Sequence, residues 1–202
     1  TTWQGRRHLA ILSLMYDTGA RVQEIADLTV DCVRIDSEPY TIRILGKGRK
    51  ARIVPMVKEQ VNHLKQYMEE NHLDSSNMFG TPLFFNNRHE KLTREGIAYV
   101  LKIYANMARK VNPSLIPDRL SCHSIRHSKA MHLLQSGVNL VYIRDILGHV
   151  SIQTTDTYAR ADSKAKREAL EKAYMELNPE IKSDRAWERD KNLREWLKGF
   201  NH

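Results

Sequence analysis

The residues best suited to chemistry lie in one ordered stretch, from His123 to Tyr158. This stretch contains a His-x-x-Arg-His motif at 123–127, a Leu-Gly-His motif at 147–149 and a Thr-Thr-x-x-Tyr motif at 154–158. Arginine offers a planar fork of donors that fits phosphate oxygens, imidazole transfers protons near neutral pH, and a tyrosine hydroxyl can form a covalent phosphoester. The combination predicts phosphodiester chemistry on a nucleic acid.

The two histidines of the His-x-x-Arg-His motif allow several interpretations. On a helix, His123 and Arg126 are three residues apart and share a face, so both are expected to reach one phosphate. His127 falls beside Ala130 and Met131 on an apolar stripe, where we expect a hydrogen-bonded core histidine. His123 and His127 also have the spacing of zinc ligands, but no Glu lies between them in the metalloprotease manner and nearby arginines disfavour a cation, so we predict no metal site.

Two earlier segments carry isolated charges next to glycines. Arg21 follows Thr18-Gly19-Ala20, and Glu24 comes three residues later; alone, this pair would be a surface ion pair of little energetic value. Lys47 lies between two glycines and, taken alone, is a solvated turn residue, although the glycines would let a DNA strand approach closely. Only their combination with the later motifs gives these positions functional weight.

Composition narrows the class of protein. The chain has 202 residues, 41% of them hydrophobic, which suffices for one substantial core. Its net charge of +8 favours a polyanionic partner. Cys32 and Cys122 lack metal-type spacing, so we predict neither a disulfide framework nor a zinc ribbon, and expect a reducing, cytoplasmic setting. No apolar stretch is long enough for a membrane span.

Periodicity and turn residues predict an α+β fold that is mostly helical, with one small three-stranded antiparallel sheet. The predicted strands are 32–35, 40–45 and 51–56, the last two joined by a glycine hairpin at 46–50. An extended piece is predicted at 82–85. Helices are predicted over residues 4–17, from about 21, around 61–68, and over 93–111, 122–136, 139–147 and 151–158.

Five motifs, taken in order, resemble those of the tyrosine recombinase (phage integrase) family. The resemblance covers the catalytic domain, from about residue 3 to 162, and implies that family's fold. The motifs are Thr18-Gly19-Ala20-Arg21-x-x-Glu24, Gly46-Lys47-Gly48-x-Lys50-x-Arg52-x-x-Pro55, His123-x-x-Arg126-His127, Leu147-Gly148-His149 and Thr154-Thr155-x-x-Tyr158.

The resemblance implies a role for each matching position. Tyr158 would be the nucleophile. Arg21 and Arg126 would clamp the scissile phosphate. The remaining implied roles are proton transfer for His123 and Lys47, a hydrogen bond to the phosphate for His149, support of the first arginine for Glu24, and a structural role for His127. No cofactor or metal is implied.

The physical argument agrees with this assignment. Negative charge gathers on the nonbridging oxygens of a phosphorane-like transition state, and preorganised arginines stabilise it without a metal. A phosphotyrosine retains the energy of the broken bond, so rejoining would need no ATP. We therefore expect a site-specific recombinase or integrase of a mobile element, acting through a 3′-phosphotyrosyl intermediate on double-stranded DNA as a homo-oligomer, a tetramer. The alternatives are a type IB topoisomerase-like enzyme and a catalytically silent DNA-binding regulator.

The expected domain organisation is a catalytic domain at 1–162 and a C-terminal helical tail at 163–202. The chain starts almost at the catalytic domain, so we expect an N-terminal DNA-binding domain to lie outside it. The tail contains apolar residues that favour burial, either against its own domain or in a neighbouring protomer. These residues are Trp187, Leu193, Trp196, Leu197 and Phe200.

Overall fold

The computed structural model describes residues 2–46, 48, 50–74 and 76–148. These residues form six α-helices and three strands, which confirms the mostly helical fold with a small antiparallel sheet. In chain order the elements are α1 (Trp3–Thr18), α2 (Val22–Ala26), β1 (Val33–Arg34), β2 (Thr41–Leu45), β3 (Ala51–Pro55), α3 (Lys58–Glu70), α4 (Arg94–Val111), α5 (Cys122–Gln135) and α6 (Leu140–Leu147). The predicted helix at 151–158, the tail, and the candidate residues Lys47, His149 and Tyr158 lie outside the described residues.

The helix ends follow from capping residues in the sequence. The Thr93 hydroxyl accepts a hydrogen bond from the Gly96 amide at 3.1 Å and begins α4, as predicted. Asn139 caps α6 in the same way, accepting from the Val141 amide at 2.9 Å. Gly19 and Gly148 end α1 and α6 in left-handed conformations, with φ values of 57° and 65°, which favour glycine.

The sheet has the order β1-β2-β3, with both pairs antiparallel. The β2–β3 hairpin closes with the Gly46 amide donating to the Lys50 carbonyl at 2.9 Å, as expected for a glycine turn. Strand β1 is shorter than the predicted 32–35, because residues Val30–Cys32 form a 3₁₀ turn in which the Cys32 amide donates to the Thr29 carbonyl. In the predicted extended piece, Pro82 and Phe85 form isolated bridges with Thr29 and Lys91.

Within the described ranges, buried apolar residues form two clusters of unequal size. The larger, which we call the main core, joins α1, α2, the sheet, α3, the 83–85 segment and α4. The smaller, the α5–α6 cluster, has Ala130, Ile143 and Leu147 as its fully buried members. At the outer surface, α5 is also linked to α1 by a 2.6 Å hydrogen bond between Tyr16 Oη and His132 Nδ1.

None of the helices in the described ranges has the length and apolar character needed to cross a membrane.

Candidate active site

Arg21 stands at the start of α2, and its position is fixed by Glu24. The Arg21 amide donates to Glu24 Oε2 at 2.9 Å, and the Arg21 guanidinium donates to Glu24 Oε1 at 3.0 Å. Glu24 is buried, with 6% of its side chain exposed, whereas 44% of the Arg21 side chain is exposed. The carboxylate therefore holds the base of the first motif while the arginine faces solvent, where a ligand can reach it.

Arg52 on β3 is the second partner of Glu24. Its Nη2 and Nη1 groups donate to the two carboxylate oxygens at 2.6 and 3.2 Å, which is the bidentate geometry that suits a guanidinium. Its Nε group donates to the Ile146 carbonyl at 2.8 Å, in the last turn of α6. Arg52 thus connects β3, α2 and α6 through one side chain that is only 10% exposed.

The Glu24 carboxyl is ionised despite its burial. Desolvation alone would raise its pKa, but the hydrogen bonds from the Arg52 side chain and the Arg21 amide, with the Arg52 charge and the Arg21 side chain, outweigh that effect and lower the pKa below its ordinary value. A buried carboxylate with a lowered pKa stays negative near neutral pH, so it keeps both arginines oriented.

Arg126 on α5 is 2% exposed and is oriented inward. Its Nη1 group donates to the Gly19 carbonyl at 2.6 Å, and its Nη2 group donates to the Leu147 carbonyl at 2.7 Å. Both carbonyls belong to helix ends, where intrahelical partners are missing. Gly19 precedes Arg21 by two residues, so this arginine ties the first motif to the end of α6.

His127 does not occupy the place expected of it. His127 is exposed, so the prediction of a core histidine was wrong. The buried residues of α5 are Arg126 and Ala130, so the buried face includes Arg126 instead of the neighbouring His127. His123 is also exposed, whereas Arg126 is buried. The two imidazole rings meet edge to face with centroids 4.3 Å apart. The pKa of His127 is lowered. The largest cause is desolvation of the ring by its neighbours, and the charges of His123 and Arg126 add to it.

Glycines let these parts approach one another closely. A Cβ atom at Gly148 would lie 2.9 Å from Arg52 Nη1, and one at Gly19 would lie 2.5 Å from Leu147 Cδ2. A Cβ atom at Gly46 would lie 3.5 Å from Glu24 Oε1 and 3.6 Å from Arg52 Nη1. The hairpin, the α1 end and the α6 end therefore meet around the arginines, and side chains at Gly19 or Gly148 would push them apart.

An open groove of about 560 Å³ runs beside this site, between α4 and the 118–123 segment. His123 lies at its edge. Besides His123, the groove is lined by two acidic side chains, Glu95 and Asp118, and by four basic ones. The basic side chains are Arg94, Lys102, Arg109 and Arg119. A surface of this charge attracts a polyanion.

The structure thus brings Arg21, Glu24 and Arg126 into one connected site, with His123 on the surface of the helix that carries Arg126. Arg52 belongs to a motif of the sequence, but no role was predicted for it. Arg52 and the buried Val54 alternate on β3 and so share its inner face, and an inward-facing charge requires a partner. This alternation could have identified Arg52 from the sequence. Among the described residues, no group of three or more His, Cys, Asp or Glu side chains is arranged to hold a metal ion.

Comparison with known proteins places this chain in a family. The model of the phage integrase family matches residues 2–165. The putative integrase/recombinase y4rC of Sinorhizobium fredii is 36% identical over 172 residues, covering 85% of this chain and 50% of that protein. The tyrosine recombinase XerD of Staphylococcus epidermidis is 35% identical over 176 residues, covering 87% of this chain and 56% of that protein.

Solved structures give the same relationship. The XerH site-specific recombinase bound to palindromic difH substrate, in its post-cleavage complex, superposes with a TM-score of 0.69 at 27% identity, over 84% of this chain and 46% of that one. The Tn1549 transposon integrase in complex with transposon right end DNA shares the fold, with a TM-score of 0.64 at 18% identity, over 85% of this chain and 59% of that one. The chain spans about half the length of the curated relatives it matches. From its motifs, its fold and this family match over residues 2–165, the chain belongs to the phage integrase family of tyrosine recombinases.

Proposed function

We propose that this chain is the catalytic part of a site-specific DNA recombinase that cleaves and rejoins DNA through a 3′-phosphotyrosyl intermediate. The observation that supports it most is the pair of hydrogen bonds from Arg126 to Gly19 and Leu147. These bonds join motifs that are 107 and 21 residues away from Arg126 in the chain. Motifs with phosphate-binding side chains that converge in the fold can act on one phosphate, as the proposed reaction requires.

The proposed chemistry assigns one event to each residue type. The Tyr158 oxygen attacks phosphorus and loses its proton to a base, the bond from phosphorus to the 5′ oxygen breaks, and that oxygen gains a proton from an acid. We assign proton transfer to His123 and Lys47. Arg21, Arg126 and His149 would contact the nonbridging oxygens, where charge develops. Rejoining is the reverse reaction with a different 5′ hydroxyl.

Covalent capture of DNA tests the proposal directly. The 202-residue chain is incubated with a nicked duplex whose short 5′ product diffuses away, and the adduct is counted by denaturing electrophoresis. The unmodified chain should form an adduct at the 3′ phosphate that protease digestion shortens to a peptide. Tyr158→Phe should form none, because it removes the nucleophilic oxygen and little volume.

The same measurement separates the proposed enzyme from a silent DNA-binding regulator. A regulator would bind the duplex, and its binding would weaken with salt by a log–log slope of about −0.9 per neutralised phosphate, but it would form no adduct. Adduct formation that persists in Tyr158→Phe would refute the nucleophile assignment. Joining of two separate duplexes, rather than relaxation of one, separates a recombinase from a type IB topoisomerase.

We further propose that double-stranded DNA lies across the basic groove beside α4, and that four copies act together on two duplexes. The groove charge supports the first statement. The second follows from the exchange itself, since two duplexes present four strands to cut. Crosslinking on paired sites should capture four protomers, whereas capture of two would limit the assembly to one duplex.

The assignment to a mobile element is also our proposal. It is supported by the relative named putative integrase/recombinase. The test is amplification across a circular junction of the DNA that flanks the coding sequence in its host. The junction should appear with the intact protein and disappear with Tyr158→Phe; a junction equally frequent in both would contradict the proposal.

A further inference from the structure

We infer that Arg52 is a positioning residue for the proposed cleavage: through Glu24 and the Ile146 carbonyl, it sets the relative positions of Arg21, the β2–β3 hairpin and the end of α6. This inference rests on the proposed function for its kinetic test. The hydrogen bonds that Arg52 makes within the described residues go to Glu24 and Ile146, neither of which is an expected reacting group. Arg52 matters because it joins three chain segments, which are the start of α2, the end of α6 and the β2–β3 hairpin.

The first link runs to Arg21. Arg52 uses both terminal nitrogens of its guanidinium on the Glu24 carboxylate, whose oxygens also accept from the Arg21 amide and side chain. The Arg21 side chain is 44% exposed and makes one hydrogen bond to Glu24. Without Arg52, the carboxylate would lose two of its four hydrogen bonds and would be held by Arg21 alone, so the direction of the Arg21 side chain would be less well fixed.

The second link runs to α6. The Arg52 Nε group donates to Ile146, and the guanidinium packs so closely under Gly148 that any Cβ atom there would lie within about 3 Å of it. His149 follows Gly148 directly in the chain. A displacement of Arg52 therefore moves the residue that precedes an expected phosphate ligand.

The third link runs to the hairpin. Gly46 lies against both members of the ion pair between Glu24 and Arg52. A Cβ atom built at Gly46 would lie 3.5 Å from Glu24 Oε1 and 3.6 Å from Arg52 Nη1. Lys47 is the next residue. Three of the family motifs thus border one guanidinium, and the fixed fork of an arginine suits this place better than the single ammonium of a lysine.

The kinetic test compares Arg52→Met with Arg43→Met. Arg43 is a matched control, since it lies on the neighbouring strand and pairs with Asp31 at 2.8 Å but is 44% exposed. At saturating nicked DNA, Arg52→Met should slow adduct formation on the order of 100-fold, the cost of misplacing groups by about 1 Å. Arg43→Met should change the rate by less than about 2-fold. Arg52→Lys, which keeps the charge but not the fork, should retain a loss of about 10-fold.

A double variant shows whether Arg52 acts through Arg21. In an Arg21→Met background, adding Arg52→Met should cost clearly less than its effect of about 100-fold in the unmodified chain, because one of the three groups that it positions is already gone. A second loss as large as the first would overturn the inference and assign Arg52 a separate role.

Native-state hydrogen exchange gives a readout that needs no activity. In Arg52→Met, the amides of Arg21 and of residues 146–148 should exchange faster, while those of α3 keep their protection. Faster exchange confined to β3, or equal loss of protection everywhere, would overturn the inference. If the unmodified chain forms no adduct, the proposed function fails, and the exchange experiment still decides the role of Arg52.

Discussion

The main core and the α5–α6 cluster differ in the interactions that stabilise each of them. Helices α1 to α4 and the sheet share a continuous apolar interior, in which residues such as Ile11, Leu64 and Ile97 have no exposed surface. The α5–α6 cluster has only Ala130, Ile143 and Leu147 fully buried. Cys122, Ile125 and Ile146 also pack against the main core, and three hydrogen bonds add to this attachment. They run from Arg126 to Gly19, from Arg52 to Ile146, and between Tyr16 and His132.

This difference matters for the site. Apolar packing tolerates volume-conserving exchange, whereas a guanidinium bonded to two carbonyls has no substitute of similar shape and chemistry. Arg126 therefore contributes to stability as well as to the proposed catalysis, and a change there affects both. Arg21, exposed on a well-packed framework, is the position where activity can be altered with little effect on folding.

The largest expected effect is that of Arg126→Met. It leaves the Gly19 and Leu147 carbonyls without this donor, which should lower the free energy of unfolding by roughly 4 kcal/mol. Urea unfolding measures the loss, and hydrogen exchange should show it first in α5 and α6. Arg109→Met is the control: Arg109 also donates to a carbonyl, that of Pro117, but at an exposed site. If both variants lost equal stability, the special dependence of α5–α6 on Arg126 would be wrong.

The second effect concerns the contact between Gly19 and Leu147. Gly19→Ala places a Cβ atom 2.5 Å from Leu147 Cδ2 at a φ of 57°. Strain and overpacking together should cost about 3 kcal/mol, measured as a shift in the unfolding midpoint. Gly137→Ala separates the two causes, because Gly137 has a φ of 76° but no atom within 4 Å. It should lose about 1 kcal/mol, and an equal loss in both would rule out crowding at Leu147.

The third effect is a pH dependence from Glu24. Because the folded pKa of Glu24 is lowered, its contribution to stability is complete above the ordinary glutamate pKa of about 4.3 and is lost as the pH falls through the lowered folded pKa. Glu24→Gln should therefore unfold more easily by about 2 kcal/mol at neutral pH, and the difference should shrink in acid. Urea titrations across this range measure it. A difference that stayed constant with pH would mean that the carboxylate charge is not what holds Arg52 and Arg21.

The smallest effect tests the main core. Gln60 is 1% exposed, and its side-chain nitrogen and oxygen have no hydrogen-bond partner in the described part of the chain. Gln60→Met removes the buried amide at similar volume and should stabilise the fold by about 1 kcal/mol. Gln23→Met, at an exposed glutamine bonded to Asp27, should be neutral. A loss of stability in Gln60→Met would show that the amide is satisfied after all.

Local signals predicted most of the elements. Thr93, Asn139, Gly19 and Gly148 fix helix ends through their own side-chain or backbone properties, so those ends could be predicted from the sequence. The exception is at Cys32, which lies in a 3₁₀ turn rather than in the strand. The adjacent residue Thr29 bridges Pro82, a contact remote in sequence that no local pattern indicates.

The site was less predictable than the elements. The residue types indicated phosphate chemistry, but the direction of Arg126 depends on two helix ends that no local pattern places beside α5. The error at His127 was one of helical phase: the periodicity of α5 is weak, and a shift of one residue moves a side chain from the interior to the surface. The roles of Lys47, His149 and Tyr158 stay predictions.

The two carbonyls that accept from Arg126 have an electrostatic consequence for DNA binding. Each lies at the C-terminal end of a helix, where aligned peptide dipoles amount to about −0.5 of an elementary charge. The ends of α1 and α6 therefore balance roughly one positive charge in the interior without contributing any formal negative charge. A carboxylate in their place would have cancelled the cation as seen from a distance and repelled an approaching phosphate. The buried guanidinium thus keeps its full contribution to the net charge that the proposed DNA substrate would meet.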